Sequence, residues 1–280
     1  EILQKKDIPF LLMKGFACGQ YYPNPKYRTC GDIDIYPERF EESNQALEEA
    51  GIVVDPHYYR HSVSEIKGVM LENHRILCDL RGPKKQTRAL EAQLEAEAKR
   101  SLEEGRAVRV QDTFIPCAVF PSANFNALFL PWHVSAHFEF ERVTLRHLLD
   151  WALFLVNDGK NIDMEMFCEA KRKYTYGYGK FADILTALTI KYLHIPEDGL
   201  PAVIFSDAMA VNPVLVDKIW EYIFFGQPRK RINNIWKQRY YNAKKVWRER
   251  WKYNELYGMN VLSFLTHKLL GVLFKVGEDD

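Results

Sequence analysis

Hydrophobic and polar positions alternate in short runs over roughly the first 120 residues of the chain, and they follow a helical period over the rest. Short apolar runs and two-residue alternation are typical of β-strands, whereas apolar residues spaced three and four apart are typical of helices. The pattern predicts strands over 8–13, 30–36, 51–54, 57–66, 69–77 and 108–120. It predicts helices in the same part over 16–22, 38–50 and 84–104. Lys67-Gly68 separates two of these strands, which favours an antiparallel pair.

The pattern changes at Pro121, and the segments beyond it are predicted to be helical. These helices are 123–140, 143–156, 164–174, 181–192, 213–225, 232–253 and 261–274. We therefore predict an α+β protein in which a domain over 1–121, with a mixed sheet and flanking helices, precedes an all-α C-terminal domain over 122–280.

Composition and charge restrict the class of protein without identifying it. The chain has 280 residues, of which 47% are hydrophobic, so it can form substantial cores. The net charge of +1 indicates no polyanionic partner for the molecule as a whole. Five scattered cysteines without a Cys-x-x-Cys spacing favour a reducing, cytoplasmic setting. No transmembrane segment is predicted, because the best apolar run, 256–276, is interrupted by His267 and Lys268.

The clearest chemical signal is the run Gly31-Asp32-Ile33-Asp34-Ile35. Side chains alternate between the two faces of a strand, so Asp32 and Asp34 share one face and the isoleucines share the other. Two neighbouring carboxylates repel each other unless a cation lies between them, and Mg²⁺ or Mn²⁺ prefers such oxygen ligands. The alternative is a solvated edge strand with its polar residues directed outward.

Three further segments surround this pair in the sequence. An apolar strand runs into Lys14-Gly15, where a glycine turn and a helix start could bring backbone N–H groups to a phosphate. The stretch 22–28 ends at Arg28, and the predicted strand 69–77 carries Glu72 and His74 on a common face.

In this order, the segments resemble the nucleotidyltransferase superfamily that includes DNA polymerase β-like enzymes, and more narrowly its uncharacterised bacterial branch. The motifs are Lys-Gly, Tyr-Pro-x-Pro-x-x-Arg, Gly-Asp-Ile-Asp and Glu-x-His, within roughly residues 8–80. Segments 130–137 and 145–151 resemble that branch more weakly. The resemblance implies a nucleotidyltransferase-like sheet in which carboxylates bind Mg²⁺ or Mn²⁺ and act in catalysis, namely Asp32, Asp34 and Glu72. It also implies a group of residues that contact the nucleotide or orient a ligand, namely Lys14, Gly15, Arg28 and His74.

The implied activity is metal-dependent transfer of a nucleoside monophosphate from a nucleoside triphosphate to an acceptor, with release of pyrophosphate. The acceptor stays open among a protein, an RNA and a small molecule. One departure from the family pattern is Phe16, where a small residue usually follows the turn glycine. It supports the alternative of a catalytically idle nucleotide- or RNA-binding module with the same fold. Asp79 is a rival third carboxylate, but it lies on the opposite alternation from Glu72.

Two weaker signals lie in the helical part. His133 and His137 are one helical turn apart, but Val134 stands where a zinc protease needs glutamate. They are predicted to pack, to face a substrate, or to bind a metal with a third ligand that the sequence does not identify. The segment 228–253 carries ten lysines and arginines and six aromatic residues. It is either a helix packed by its aromatics or a face for RNA, anionic lipid or another polyanion.

Overall fold

The computed structural model describes residues 1–57, 59–78, 83–105, 107–110, 113–140, 143–226, 232–258 and 260–262. Within these residues, seven strands form one sheet in the order β3-β4-β5-β2-β1-β7-β6. The strands are β1 (Phe10–Met13), β2 (Asp32–Pro37), β3 (Val54–Asp55), β4 (His61–Ile66), β5 (Val69–His74), β6 (Ala107–Val110) and β7 (Thr113–Val119). Parallel and antiparallel pairs both occur, so the predicted mixed sheet is confirmed.

Helices flank the sheet and make up the C-terminal half, which confirms the α+β class. Those of the first half are α1 (Ile2–Lys5), α2 (Lys14–Gly19), α3 (Phe40–Glu49) and α4 (Lys84–Glu104). The later ones are α5 (Ala123–Phe140), α6 (Leu145–Asp158), α7 (Met164–Lys173), α8 (Gly179–Leu193), α9 (Ala202–Met209), α10 (Pro213–Phe225), α11 (Ile235–Arg248) and α12 (Arg250–Glu255). None of the described helices is both long and apolar enough to cross a membrane.

The two faces of the sheet contact different cores. Leu12 and Ile35 point to a small core shared with residues of α1 and α3, such as Leu3 and Leu47. Leu11 and Met13, on the opposite face of β1, belong to a larger core that continues into the C-terminal helices. Because β2 alternates in the same way, its aspartates lie on the face directed toward these helices.

The hairpin predicted through Lys67-Gly68 is confirmed. Ile66 pairs with Val69, and both turn residues have positive φ, 52° and 79°, as a two-residue type I′ turn requires. The turn fixes the register of the pair, so that His61 lies opposite His74.

Some predicted elements differ from the structure. The strand predicted over 51–54 is largely wrong, because Gly51 (φ 79°) and Ile52 close α3 with bonds back to its last turn. The strand predicted over 108–120 is two strands, and the helix predicted over 232–253 is divided at Glu249. The sequence analysis missed α1 and α9, and beyond residue 262 the predicted helix 261–274 lies outside the described residues.

The packing of segment 232–253 differs from what one of the two interpretations of its sequence predicts. Trp236, Tyr240 and Trp247 on α11 are 72%, 71% and 50% exposed. The interpretation that these three aromatics pack inside is therefore wrong, whereas Tyr253 on α12 is buried.

Candidate active site

The register of three neighbouring strands places the predicted site residues side by side. Asp34 lies opposite Glu72 in the parallel pair of β2 and β5, and opposite Met13 in the antiparallel pair of β1 and β2. Lys14 follows Met13 directly, so it enters the site from the end of β1. Asp32 is two residues from Asp34 and shares its face.

The three carboxylates converge closely enough to bind a divalent cation. One oxygen each from Asp32, Asp34 and Glu72 lies within 4.8 Å of the other two. We refer to these residues as the carboxylate trio. The trio fits Mg²⁺ or Mn²⁺, because both ions take carboxylate oxygens as ligands. Asp79, the rival third carboxylate, lies outside the described residues.

Two side chains, Lys14 and His74, connect two members of the trio, Asp34 and Glu72. Lys14 Nζ donates to Asp34 Oδ1 and lies 4.0 Å from Glu72 Oε2. His74 Nε2 lies 2.9 Å from the same Asp34 oxygen and 3.3 Å from Glu72 Oε2. Lys14 and His74 therefore contact the same oxygen of Asp34, Oδ1.

The pKa values of the trio are shifted in opposite directions. Burial raises the pKa of Asp32, and the negative charges of Asp34 and Glu72 raise it further. Burial also opposes ionisation of Asp34, but the charge of Lys14 and the hydrogen bond from His74 outweigh it and hold the Asp34 pKa well below its usual range. For Glu72, burial is likewise outweighed by His74 and Lys14, and the pKa is lowered. The repulsion felt by Asp32 is what a divalent cation would relieve.

Lys14 adopts a backbone conformation that is rare for a residue with a side chain. Its φ is 45°, in the left-handed region, at the junction of β1 and α2. Such conformations cluster at functional sites. Gly15 is buried, and a Cβ there would meet Cys30 Sγ at 3.2 Å, whereas Phe16 is 40% exposed. A phosphate contact by Gly15 stays a prediction.

Arg28 is paired with the helical half of the protein. Its Nε and Nη2 donate to the two oxygens of Asp150 on α6, at 3.0 and 2.7 Å, and its Nη1 donates to Thr29 O. Both side chains are buried, with 6% and 7% of their surface exposed. The predicted triphosphate contact of Arg28 stays a prediction, and the structure gives its guanidinium a bidentate partner that the sequence did not indicate.

The sequence analysis missed two histidines near the site. His61 lies across the hairpin from His74, with Nε2 3.9 Å from Glu72 Oε1. The two-residue turn at Lys67-Gly68 could have predicted this pairing, since it sets the register. His147 at the start of α6 lies against His133 and His137 of α5.

We call His133, His137 and His147 the histidine cluster. Burial lowers the pKa of His133 well below its ordinary value, with further lowering by Lys14 and the other two histidines. Burial, with the charges of His137 and Arg146, lowers the pKa of His147 to about 3. The charge of Lys14 contributes to the lowering of the pKa values of both His133 and His147.

A model of a family described as uncharacterised nucleotidyltransferases matches residues 1–191. The chain belongs to this family. The match confirms the resemblance to the nucleotidyltransferase superfamily, and it contains the carboxylate trio, Lys14, Arg28 and the histidine cluster. No curated protein and no solved structure matches the chain.

Membership of the nucleotidyltransferase family supports nucleotidyl transfer in general and implies a nucleoside triphosphate as substrate. The matched residues extend from the sheet into α8, so the family region includes the first helices of the C-terminal half.

Proposed function

We propose that the protein is a metal-dependent nucleotidyltransferase that transfers a nucleoside monophosphate from a nucleoside triphosphate to an acceptor and releases pyrophosphate. The observation that carries this proposal is the carboxylate trio, which stands on adjacent strands in register beside Lys14. Family membership supports the reaction class independently of that geometry.

The trio would hold Mg²⁺ or Mn²⁺. When bound, the ion would neutralise phosphate charge and stabilise the oxygens that attack and leave. Lys14 adds a positive charge at the same place, and His74 orients Asp34 and Glu72 through the contacts of its Nε2. The side chain of Glu72 is 23% exposed against 1% for Asp34, so an acceptor can approach Glu72 more readily than Asp34 to pass it a proton.

The balanced reaction forms one bond and breaks one. An acceptor oxygen or nitrogen attacks the α-phosphorus, the bond from that phosphorus to the pyrophosphate oxygen breaks, and the acceptor proton passes to the base. In this arrangement Lys14 is expected to contact the triphosphate, in line with its present contact to the Asp34 carboxylate.

Thermal unfolding tests the binding part of the proposal. Mg²⁺ together with one of the four nucleoside triphosphates should raise Tm by several degrees, because a ligand that binds the folded state stabilises it. Asp32→Asn/Asp34→Asn should abolish the shift. The matched control is Glu197→Gln/Asp198→Asn, which removes two exposed carboxylates in a surface turn and should leave the shift intact. No shift with any nucleotide contradicts the proposal.

Transfer is tested separately, with nucleotide labelled at the α-phosphate. The wild-type protein and cell extract should produce a labelled acceptor detectable by mass spectrometry, and Asp32→Asn/Asp34→Asn should not. A thermal shift without transfer to any extract component or release of pyrophosphate would support the idle binding module instead, for which Phe16 remains the sequence argument.

A further inference from the structure

The histidine cluster brings together three imidazoles from two helices. His133 and His137 lie one turn apart on α5, and His147 faces them from the first turn of α6. The ring centroids of His133 and His137 are 4.5 Å apart, and His147 lies 5.9 Å and 5.0 Å from them. One ring nitrogen from each histidine lies within 4.8 Å of the other two.

We propose that the histidine cluster is a second metal site, which binds a first-row transition ion such as Zn²⁺ through three imidazole nitrogens. Imidazole is a preferred ligand of zinc and related ions, whereas Mg²⁺ takes oxygen ligands. The cluster and the carboxylate trio therefore differ in ligand chemistry as well as in position. Three protein ligands leave a fourth tetrahedral position for water or a substrate oxygen. The inference does not rest on the proposed transfer reaction.

The packing of the cluster agrees with a small ion at its centre. Nitrogens of a tetrahedral zinc site lie about 3.3 Å apart, since each is about 2.0–2.1 Å from the metal. The ring nitrogens now lie within 4.8 Å of one another, so each pair needs to approach by at most about 1.5 Å to reach that spacing. The ring of Phe129 stacks on the ring of His133, with the two centroids 5.7 Å apart.

One hydrogen bond of His147 distinguishes the metal-free cluster from the metal-bound cluster. The backbone N–H of Thr144 donates to His147 Nδ1 at 3.2 Å and forms part of the cap of α6. This bond places the proton of the neutral ring on Nε2. Coordination through Nε2 requires that proton to move to Nδ1, and coordination through Nδ1 uses the nitrogen itself. Metal binding by His147 therefore breaks the Thr144 bond in either case.

The chain offers a matched variant for the test. Glutamine at the third position of a helix can accept the N-cap N–H, as in a capping box. His147→Gln therefore keeps the start of α6 and removes only the imidazole. His57→Gln removes an 87% exposed imidazole and serves as the control.

The experiment titrates chelator-treated, full-length protein with Zn²⁺ and with Co²⁺, without nucleotide, and follows calorimetry and the visible Co²⁺ spectrum. Wild type and His57→Gln should bind one ion with a tetrahedral Co²⁺ spectrum. His147→Gln should weaken Zn²⁺ binding by at least roughly 100-fold, since even loss of a partner of a ligand costs 10–100-fold. The amide resonance of Thr144 should shift on Zn²⁺ addition to the wild type and to His57→Gln, and it should not shift in His147→Gln.

Two results would overturn the proposal. One is equal Zn²⁺ affinity in the wild type and His147→Gln, which would leave the cluster as packed rings. The other is loss of the tetrahedral Co²⁺ spectrum in His61→Gln but not in His147→Gln. It would assign the ion to His61, Glu72 and His74, whose ligand atoms also lie within 4.8 Å of one another.

Discussion

At the scale of single residues, Lys14 has the clearest double role. Its Nζ contacts Asp34 and lies 4.0 Å from Glu72. In the absence of a metal ion, the positive charge of Lys14 therefore balances the negative charge of these carboxylates. Lys14→Met should therefore tighten Mn²⁺ binding without nucleotide by about tenfold, the equivalent of one charge-assisted hydrogen bond. It should also weaken binding of the triphosphate, which loses a cationic partner.

The measurement for Lys14→Met is Mn²⁺ titration followed by electron paramagnetic resonance, first alone and then with a nucleoside triphosphate. Lys26→Met removes an exposed lysine and should leave both affinities unchanged. Weaker Mn²⁺ binding by Lys14→Met in the absence of nucleotide would show that Lys14 organises the carboxylates rather than competing with the ion.

Sequence alone could place part of this site. Two-residue alternation predicted that Asp32 and Asp34 share one face of their strand and that Glu72 and His74 share one face of theirs. In the structure the two strands pair in register, so that Asp34 lies opposite Glu72. The positive φ of Lys14, the pairing of Arg28 with a residue 122 positions away and the approach of His147 to α5 could not be predicted. Each depends on tertiary packing rather than on local periodicity.

At the scale of elements, Arg28 and Asp150 join the segment before β2 to α6 through two buried hydrogen bonds. Removal of one partner leaves an uncompensated buried charge, so Arg28→Met should lower the free energy of unfolding by about 3–5 kcal/mol. The double variant Arg28→Met/Asp150→Leu should recover much of that loss, because no charge is left buried. Urea unfolding measures both variants.

A surface ion pair provides the control for this prediction. Lys6 and Glu49 are about half exposed, and Lys6→Met should change the urea midpoint far less than Arg28→Met. If the double variant is as unstable as Arg28→Met, the guanidinium contributes packing or another contact rather than neutralisation of Asp150.

Glu91 on α4 forms pH-dependent hydrogen bonds with residues that follow β5. Its carboxyl oxygens accept the backbone N–H groups of Leu77, at 2.7 Å, and Cys78. Burial outweighs these bonds and raises the pKa of Glu91 from 4.5 to about 7. Between these pH values the folded state then binds more protons than the unfolded state. The contribution of Glu91 to the free energy of unfolding is therefore full below pH 4.5 and is lost as the pH rises to about 7.

The expected loss in the free energy of unfolding from Glu91 is about 3 kcal/mol across that window, at about 1.36 kcal/mol per pH unit. The free energy of unfolding in urea is measured for the wild type and Glu91→Gln between roughly pH 4 and 8, which spans the titration of the Glu91 carboxyl. The difference between the two proteins at each pH removes the contributions of the other titrating groups. Glu103→Gln, at an exposed position of the same helix, should keep the wild-type slope. Parallel profiles for the wild type and Glu91→Gln would show that the carboxyl titrates at its ordinary pH.

The helical pattern predicted the bounds of some helices as the structure has them. The bounds of α4, α5 and α10 are those predicted. The two strands within 108–120 and the division of 232–253 were missed because the apolar pattern continues through the point where each segment divides. Gly51 was assigned to a strand although its left-handed backbone closes α3.

At the scale of the whole molecule, the sheet and the C-terminal helices share one core. The larger core contains Leu11 and Met13 of β1, Leu94 of α4 and Trp151 of α6. The domain boundary at Pro121 stays a prediction. The composition shift on which it is based describes where helices replace strands, and the shared core shows that the two parts bury apolar surface against each other.

The exposed face of α11 is the whole-molecule feature that bears on the acceptor. Trp236, Tyr240 and Trp247 are exposed beside basic residues, and Arg239 lies over the Trp236 ring at 5.1 Å. Aromatic planes among cationic side chains are typical of surfaces that bind single-stranded nucleic acid. We therefore expect the protein to bind a short poly(U) oligonucleotide, with an affinity that falls steeply as salt rises.

Two variants separate stacking from charge at α11. Trp236→Ala should weaken poly(U) binding about tenfold while leaving its dependence on salt unchanged, because stacking contributes about 1–3 kcal/mol per base. Lys237→Gln/Lys244→Gln should reduce the slope of log affinity against log salt by about 1.4, since each phosphate contact on a single strand contributes about 0.7. Lys99→Gln, at an exposed position on α4, should change neither quantity. Fluorescence anisotropy over a range of salt concentrations measures both quantities, and an affinity independent of salt would exclude α11 as a polyanion-binding surface.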